Sequence, residues 1–344
     1  MFARVLTTNR PLRTVWPGAV PGLIYAVIAC HFALNFARTA GYFLDISNYI
    51  AGKEMPPFQY RALMRPVFGW LMTALNGADL RASLTHAPWF LAKPEEQAYA
   101  IVNMAGIFFA LVGFHGISRT VFASRLRVFW SMFLFVTLTY GLFVLNPNLN
   151  FTMPYDLPAL AFTQCCVLLV LHKRWLWLVP LFALATANRE TSLLIVVFLA
   201  SHVLYGTTAR VVTIRWTIVM TMVWLAVKAW MNWLATGWNG PINHVRITLG
   251  DNAAELLKPW QWPSLLLVLC VVPLCVVVLR ERRAESFSWA LTCLAGFAVL
   301  IMMALITEHR AFGDLIGFAV IALVFCLERY GLLPTGESAA GVPA

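Results

Sequence analysis

The chain has 344 residues, 60% of them hydrophobic and only 12% charged, and a formal net charge of +10. Soluble domains hold about 45–50% apolar residues, so this composition excludes an ordinary soluble domain and points to a polytopic membrane protein. Its basic residues lie scattered in short connections between apolar runs, the pattern of topology signals and lipid-headgroup contacts rather than of a nucleic-acid surface.

A basic N-terminal stretch, residues 1–18, has no short apolar core followed by a small-residue cleavage site, and is expected to be a retained cytoplasmic tail. Apolar runs follow at roughly 19–44, 97–118, 128–147, 156–172, 174–187, 191–207, 213–236, 263–280, 286–306 and 312–328, with a second cytoplasmic tail at 329–344. About 30 Å of hydrocarbon must be crossed with every backbone hydrogen bond satisfied internally, so these runs are expected to be α-helices. The expected fold is therefore a single all-α transmembrane domain of about ten helices. The seven cysteines all fall inside apolar runs, with neither disulfide-framework nor zinc spacing.

Residues 174–207 could be one long helix or a hairpin turning at Asn188, Arg189, Glu190 and Thr191. With the hairpin, Arg119, Arg125, Arg127, Lys173, Arg174, Arg210, Arg215, Arg280, Arg282, Arg283 and Arg329 all fall on the inner side, as the positive-inside rule requires. A single helix would put Arg280, Arg282 and Arg283 outside, so the hairpin is preferred. Both termini are then cytoplasmic, and most of the 15 acidic residues map to the outer face.

The first outer loop, about 45–96, contains "PPFQYRALMRPVFGWLMTALNG". Its apolar residues from Tyr60 to Leu75 recur at three- and four-residue spacings, which suits helices lying in the interface. Pro56 and Pro57 can start such a helix, Pro66 would kink or divide it, and Arg61 and Arg65 are expected to share a face. The fourth outer loop holds "NGPINHVR", with His244 and Arg246 as candidate polar contacts.

Asp45 stands just past the first span, with Arg38 about two turns earlier. An arginine that deep needs a cavity, a partner or a path to the headgroups, and snorkelling is the plain alternative to a ligand role. Lys228, in the outer half of the seventh run, repeats the pattern, and two such cations suggest an anionic ligand, most simply a phosphate. Arg189 and Glu190 either cap a tight turn or meet that anion. Glu308, His309, Arg310 and Asp314 crowd one turn, but their spacing matches no recognised metal motif, and an ion-paired arginine facing phosphate is preferred there. Asp156 is a second acidic candidate, although a carboxylate at a helix N-terminus is also favoured by capping and by the helix dipole. No Walker loop, dinucleotide fingerprint, serine elbow or zincin motif is present, so no cofactor is expected.

A first helix leading to the outer-facing aspartate of "FLDISNYIAG", a long loop bearing "PPFQYRALMRP", and outer arginines at "NRET" and "EHR" resemble the GT-C class of integral membrane glycosyltransferases. The likeness is architectural and covers most of the chain. It implies a polyprenyl-phosphate-sugar donor, a glycan or glycolipid acceptor, membrane lipids as surroundings, and no nucleic acid. It also implies a bacterial inner membrane with the active site facing outward. Asp45 would be the base, with Asp156 as the other candidate, and Arg38, Tyr60, Arg61, Arg65, Arg189, Glu190, Lys228, His244, Arg246, Glu308, His309 and Arg310 would surround phosphate and sugar. Many members carry a pair of acidic residues at the first position, whereas Asp45 has no acidic neighbour before Glu54. A lipid-linked oligosaccharide polymerase or ligase and a flippase are the alternatives.

Overall fold

The computed structural model describes residues 18–42, 44–53, 61–77, 91, 93–145, 151–205, 210–234, 248–259, 262, 266, 269–280, 284–304, 306 and 308–333. Its helices are α1 (Ala19–Thr39), α2 (Ile46–Ile50), α3 (Met64–Gly77), α4 (Pro94–Val121), α5 (Arg125–Phe143), α6 (Asp156–Leu171), α7 (Trp175–Asn188), α8 (Leu193–Tyr205), α9 (Arg210–Leu234), α10 (Leu249–Leu256), α11 (Val271–Arg280), α12 (Ala284–Met303) and α13 (Ile316–Arg329). Two 3-10 turns, Glu190–Ser192 and His309–Leu315, precede α8 and α13. Among the described residues five segments are long and apolar enough to cross a membrane: α1, α4, α5, α9 and the continuous stretch His309–Arg329. Shorter apolar helices cover α6, α7, α8, α11 and α12. The protein is a helical membrane protein, and each expected apolar run contains one of these helices.

Apolar side chains gain little by leaving lipid for protein, so helix contact in a bilayer depends on close packing. The α4–α6 seam shows how this chain achieves it. A Cβ on Gly106 would lie 2.8 Å from the carbonyl carbon of Leu157, and one on Gly113 would lie 3.1 Å from Cβ of Gln164. Both pairs are seven residues apart, two helical turns, so the two glycines let the backbones touch along one stripe. Asn103 on α4 donates to the Thr152 hydroxyl at 3.2 Å and ties the approach to α6 onto the same helix. By contrast α9 exposes Ile218, Met222, Leu225, Trp230 and Trp233, the surface a lipid-facing helix requires.

The hairpin at residues 188–192 is present. α7 ends at Asn188, Arg189 is extended at φ −158° and ψ 141°, and the chain re-enters a helix at Leu193. Trp175, opening α7, stacks on Trp216 of α9 with ring centroids 5.2 Å apart. Glu190 meets Trp224 and Lys228 further along α9. α7 therefore climbs beside α9, and α8 returns toward the start of α9. At 14 residues α7 is about 21 Å long, short for a span.

Three expectations need correction. The first helix stops at Thr39, because Ala40 turns extended and Gly41–Tyr42 pairs in parallel with Phe151–Thr152. Asp45 therefore caps the separate helix α2 rather than ending α1. In the first outer loop, α3 begins at Met64 with Pro66 inside its first turn, where a proline costs no intrahelical hydrogen bond, so no kink arises there. Arg61 precedes that helix and Arg65 lies within it, so they share no face. Between α9 and α11 lies an unforeseen helix, α10, docked by Asn252. Its side-chain amide donates to the carbonyls of Ile301 at 2.7 Å and Ala304 at 3.0 Å, satisfying groups that the end of α12 leaves open.

A second apolar cluster caps the bundle. Leu44, Ile46 and Tyr49 from α2 and its approach pack with Met64, Phe68 and Leu71 from α3, with Tyr99 and Val102 from α4, and with Met153 and Tyr155 before α6. Helices α2 and α3 are thereby seated on the start of α6, beside the polar residues described next.

Candidate functional site

Five separate segments deliver charged side chains to one end of the bundle. They are the first outer loop (Arg61), the start of α6 (Asp156), the α7–α8 turn (Arg189, Glu190), the later half of α9 (Lys228), and the turn before α13 (Glu308, Arg310, Asp314). Among the described residues four cations face four carboxylates there, and they divide into two circuits.

The inner circuit is closed off. Asp156, 3% exposed, is gripped from both sides, by Nη1 of Arg189 at 3.3 Å from Oδ1 and by Nη1 of Arg310 at 3.4 Å from Oδ2. Arg189 also lies 3.5 Å from Oδ2 of Asp314, which accepts a hydrogen bond from the Thr191 hydroxyl. Arg310 reaches Glu308 at 3.8 Å. Asn188 donates to the backbone oxygen of Tyr155 at 2.9 Å, holding the end of α7 against the start of α6. Buried charges survive only when paired in this way, and removing one partner leaves the other costly.

The outer circuit is more open. Nη2 of Arg61 lies 2.6 Å from Oε1 of Glu190 and its Nε donates to Oε2 at 3.4 Å, while Nζ of Lys228 stands 3.5 Å from Oε2. The Arg61 and Lys228 side chains are 13% and 17% exposed, whereas Glu190 is 37% exposed. The Arg61 guanidinium sits over the ring of Tyr155 at 4.4 Å, and the Tyr49 hydroxyl donates to the Arg61 carbonyl. Burial favours the neutral acid at Glu190, but Arg61 and Lys228 outweigh it and hold the carboxyl well below the usual carboxylate range. Burial likewise disfavours the Arg61 cation, and the Glu190 carboxylate more than compensates, raising it above the usual value.

Asp45 stands apart from both circuits. It is exposed, its Oδ1 accepts from the backbone of Ser47 at 2.8 Å and Asn48 at 3.1 Å, and its Oδ2 accepts from the Asn48 amide at 3.2 Å. Four residues on, Tyr49 bonds Arg61, so α2 links Asp45 to the outer circuit. Arg65 turns the other way, its guanidinium 5.8 Å from the Tyr49 ring centroid and against Gly52, and burial lowers its affinity for the proton. Arg38 is exposed in the last turn of α1, off the buried face formed by Tyr25, Ala29, Phe32, Ala33 and Phe36. His309 is buried, and its Nε2 has no hydrogen-bond partner among the described residues. Tyr60, His244 and Arg246 lie outside the described residues. No group of three His, Cys, Asp or Glu residues placed to hold a metal ion occurs among those described.

The sequence brought Asp156, Arg189, Glu190, Lys228 and Arg310 to attention but not who pairs with whom. Tyr49, Trp224 and Thr191 were missed as participants. Trp224 precedes Lys228 by four residues and so shares its helical face, a usable signal; Tyr49 carried none.

Several buried polar atoms in this region have no hydrogen-bond partner among the described residues: the Tyr155 hydroxyl, Oδ1 of Asn188, Oδ1 of Asp314 and Nε of Arg189. Native proteins leave few such groups without a partner. No protein-family model matches the chain, and neither a curated protein nor a solved structure matches it.

Proposed function

We propose that this protein is a GT-C-like inverting glycosyltransferase. Its ten apolar helices cross the membrane, both termini are cytoplasmic, and the polar end of the bundle faces outward. There it moves a sugar from a polyprenyl-phosphate donor to a lipid-linked or cell-envelope glycan acceptor. The observation that carries the reading is the convergence of five separate segments into one polar cluster at one end of an otherwise apolar bundle. The opposite helix ends carry Arg119, Arg125, Arg127, Lys173, Arg174, Arg210 and Arg329, which supports the cytoplasmic assignment of that side.

The chemistry asks little of the protein beyond charge and a base. An acceptor hydroxyl attacks the anomeric carbon, the bond from that carbon to the phosphate oxygen breaks, and the phosphate leaves with the electron pair. Arg61 and Lys228, at the open edge, neutralise the leaving phosphate. Asp45 takes the acceptor proton, since it is exposed and its Oδ2 accepts only from the Asn48 amide among the described residues. Asp156 is a poorer base: each of its oxygens faces a guanidinium, and its burial keeps an acceptor sugar away. The inner circuit then holds the helix ends in register.

The test is transfer itself, with purified protein in lipid nanodiscs, a panel of polyprenyl-phosphate-linked sugars and a lipid-linked glycan acceptor. Wild type transfers at least one sugar, and Asp45→Asn lowers turnover by about 10²–10⁴ while keeping donor binding. Near wild-type turnover in Asp45→Asn, with a folded but inactive Asp156→Asn, moves the base to Asp156. Donor that crosses the bilayer without any transfer would overturn the reading in favour of a flippase.

A further inference from the structure

We propose that the Glu190 carboxylate is an internal stand-in for the substrate phosphate: it fills an anion subsite built by Arg61 and Lys228, and a lipid phosphate binds by displacing it. The inference rests on the part of the reading above that brings an anionic lipid headgroup to this end of the bundle.

The geometry of the Arg61–Glu190 contact is the first support. Two guanidinium nitrogens address the two carboxylate oxygens, at 2.6 and 3.4 Å, with Lys228 flanking at 3.5 Å. That fork-and-point arrangement suits a phosphate as well as a carboxylate, since both present paired anionic oxygens to a planar guanidinium. A second support is that Arg61 is held by more than Glu190, and Lys228 is anchored through its helix. Arg61 is held by the Tyr155 ring under its guanidinium and by the Tyr49 hydroxyl on its carbonyl, and Lys228 projects from the 25-residue helix α9. Glu190 is the most exposed of the three, and its backbone oxygen is held separately, accepting from Nε1 of Trp224 at 3.4 Å. The side chain can therefore swing outward while the turn and both cations stay in place.

Charge balance gives the third support. Among the described residues of the two circuits four cations already face four carboxylates, so an anion that binds Arg61 and Lys228 competes directly with the carboxylate they share. Asp156 and Asp314, with side chains 3% and 1% exposed, are enclosed within the inner circuit, so neither carboxylate has the path to solvent that Glu190 has. Releasing Glu190 moves a partly exposed carboxylate into solvent and leaves two cations for the phosphate. The exchange also changes what ties the first outer loop to the α7–α8 turn, from a side chain to the substrate.

The test measures equilibrium binding of decyl phosphate and of inorganic phosphate to purified protein in neutral detergent, with decyl maltoside as the uncharged control. Glu190→Gln keeps the shape and removes the competing charge, so decyl phosphate should bind about tenfold tighter or more, given that a charge-assisted contact of about 1.5–3 kcal/mol no longer competes. Glu190→Asp, which keeps the charge but draws it back by one methylene, should tighten binding by a smaller factor. Adding Lys228→Gln to Glu190→Gln should remove the gain. Parallel tightening of inorganic phosphate assigns the subsite to the headgroup alone, and tightening of decyl phosphate only assigns it to a headgroup on an alkyl chain; both support displacement. Unchanged or weaker binding per folded molecule in Glu190→Gln, or in Glu190→Asp if the glutamine variant does not fold, overturns the inference. Tightening without sugar transfer from any donor would sink the glycosyltransferase reading alone, and transfer without tightening would sink the stand-in role alone.

Discussion

Arg189 and Glu190 are neighbours in the chain and enter different environments. Arg189, with an 8% exposed side chain, is enclosed by Asp156 and Asp314; Glu190, at 37%, sits at an edge between Arg61 and Lys228. The extended backbone at Arg189 separates them, because successive side chains in extended conformation point to opposite sides. One circuit thus holds helix ends together, and the other has room to exchange a partner. Similar charges at one end of a bundle do different work according to how far water reaches them.

Breaking the inner circuit should produce the largest change. Arg189→Ala is expected to destabilise the protein by about 3–5 kcal/mol, read by denaturant or thermal unfolding in micelles, because Asp156 and Asp314 lose a shared cation. Adding Glu190→Ala should not restore stability, since those residues are not partners; adding Asp314→Asn should restore part of it. Rescue by Glu190→Ala would show that the two circuits are one.

A smaller effect is expected at the seam that positions both circuits. Gly106→Ala places a methyl 2.8 Å from the Leu157 backbone, next to Asp156, and should cost about 1–3 kcal/mol. Gly22→Ala, with nothing within 4 Å, is the control and should be neutral or mildly stabilising. Equal effects would remove the α4–α6 contact from the account.

The outer circuit should show its own pH signature. Glu190 is held below its ordinary value near 4.5, so its stabilising contribution is fully present above that pH and is lost as pH falls through the lower folded value. The stability difference between wild type and Glu190→Gln should stay constant from pH 8 to about 5 and shrink below about 4.5. A difference that already shrinks near pH 6 would mean Glu190 is not paired as described. Least of all should change in Asp45→Asn. Asparagine caps a helix about as well as aspartate, so its stability should match wild type within about 0.5 kcal/mol even where turnover is lost.

The sequence carried the location of the site further than its wiring. The break at "NRET" was legible because a hairpin there places the surrounding arginines on one side of the expected spans, and the gathering of Asp156, Lys228 and Arg310 at one end of the bundle followed from the same alternation. Partner choice was not legible, because it depends on one extended residue at 189 and on tertiary packing that puts Arg61 across Tyr155. The shared face expected for Arg61 and Arg65 failed for a related reason: helical spacing has meaning only inside a helix, and α3 starts between them at Met64. Helix α10 was missed because Asn252 earns its place by bonding carbonyls some fifty residues further along the chain, a contact with no local signature.

The division into a structural and an exchangeable circuit is tested most directly by measuring, on the same purified samples, unfolding stability and decyl phosphate affinity for Arg189→Gln and Lys228→Gln. The expected result is crossed: Arg189→Gln loses stability but keeps wild-type affinity per folded molecule, and Lys228→Gln keeps stability but binds more weakly. The opposite assignment, with affinity lost at Arg189 and stability lost at Lys228, would contradict it.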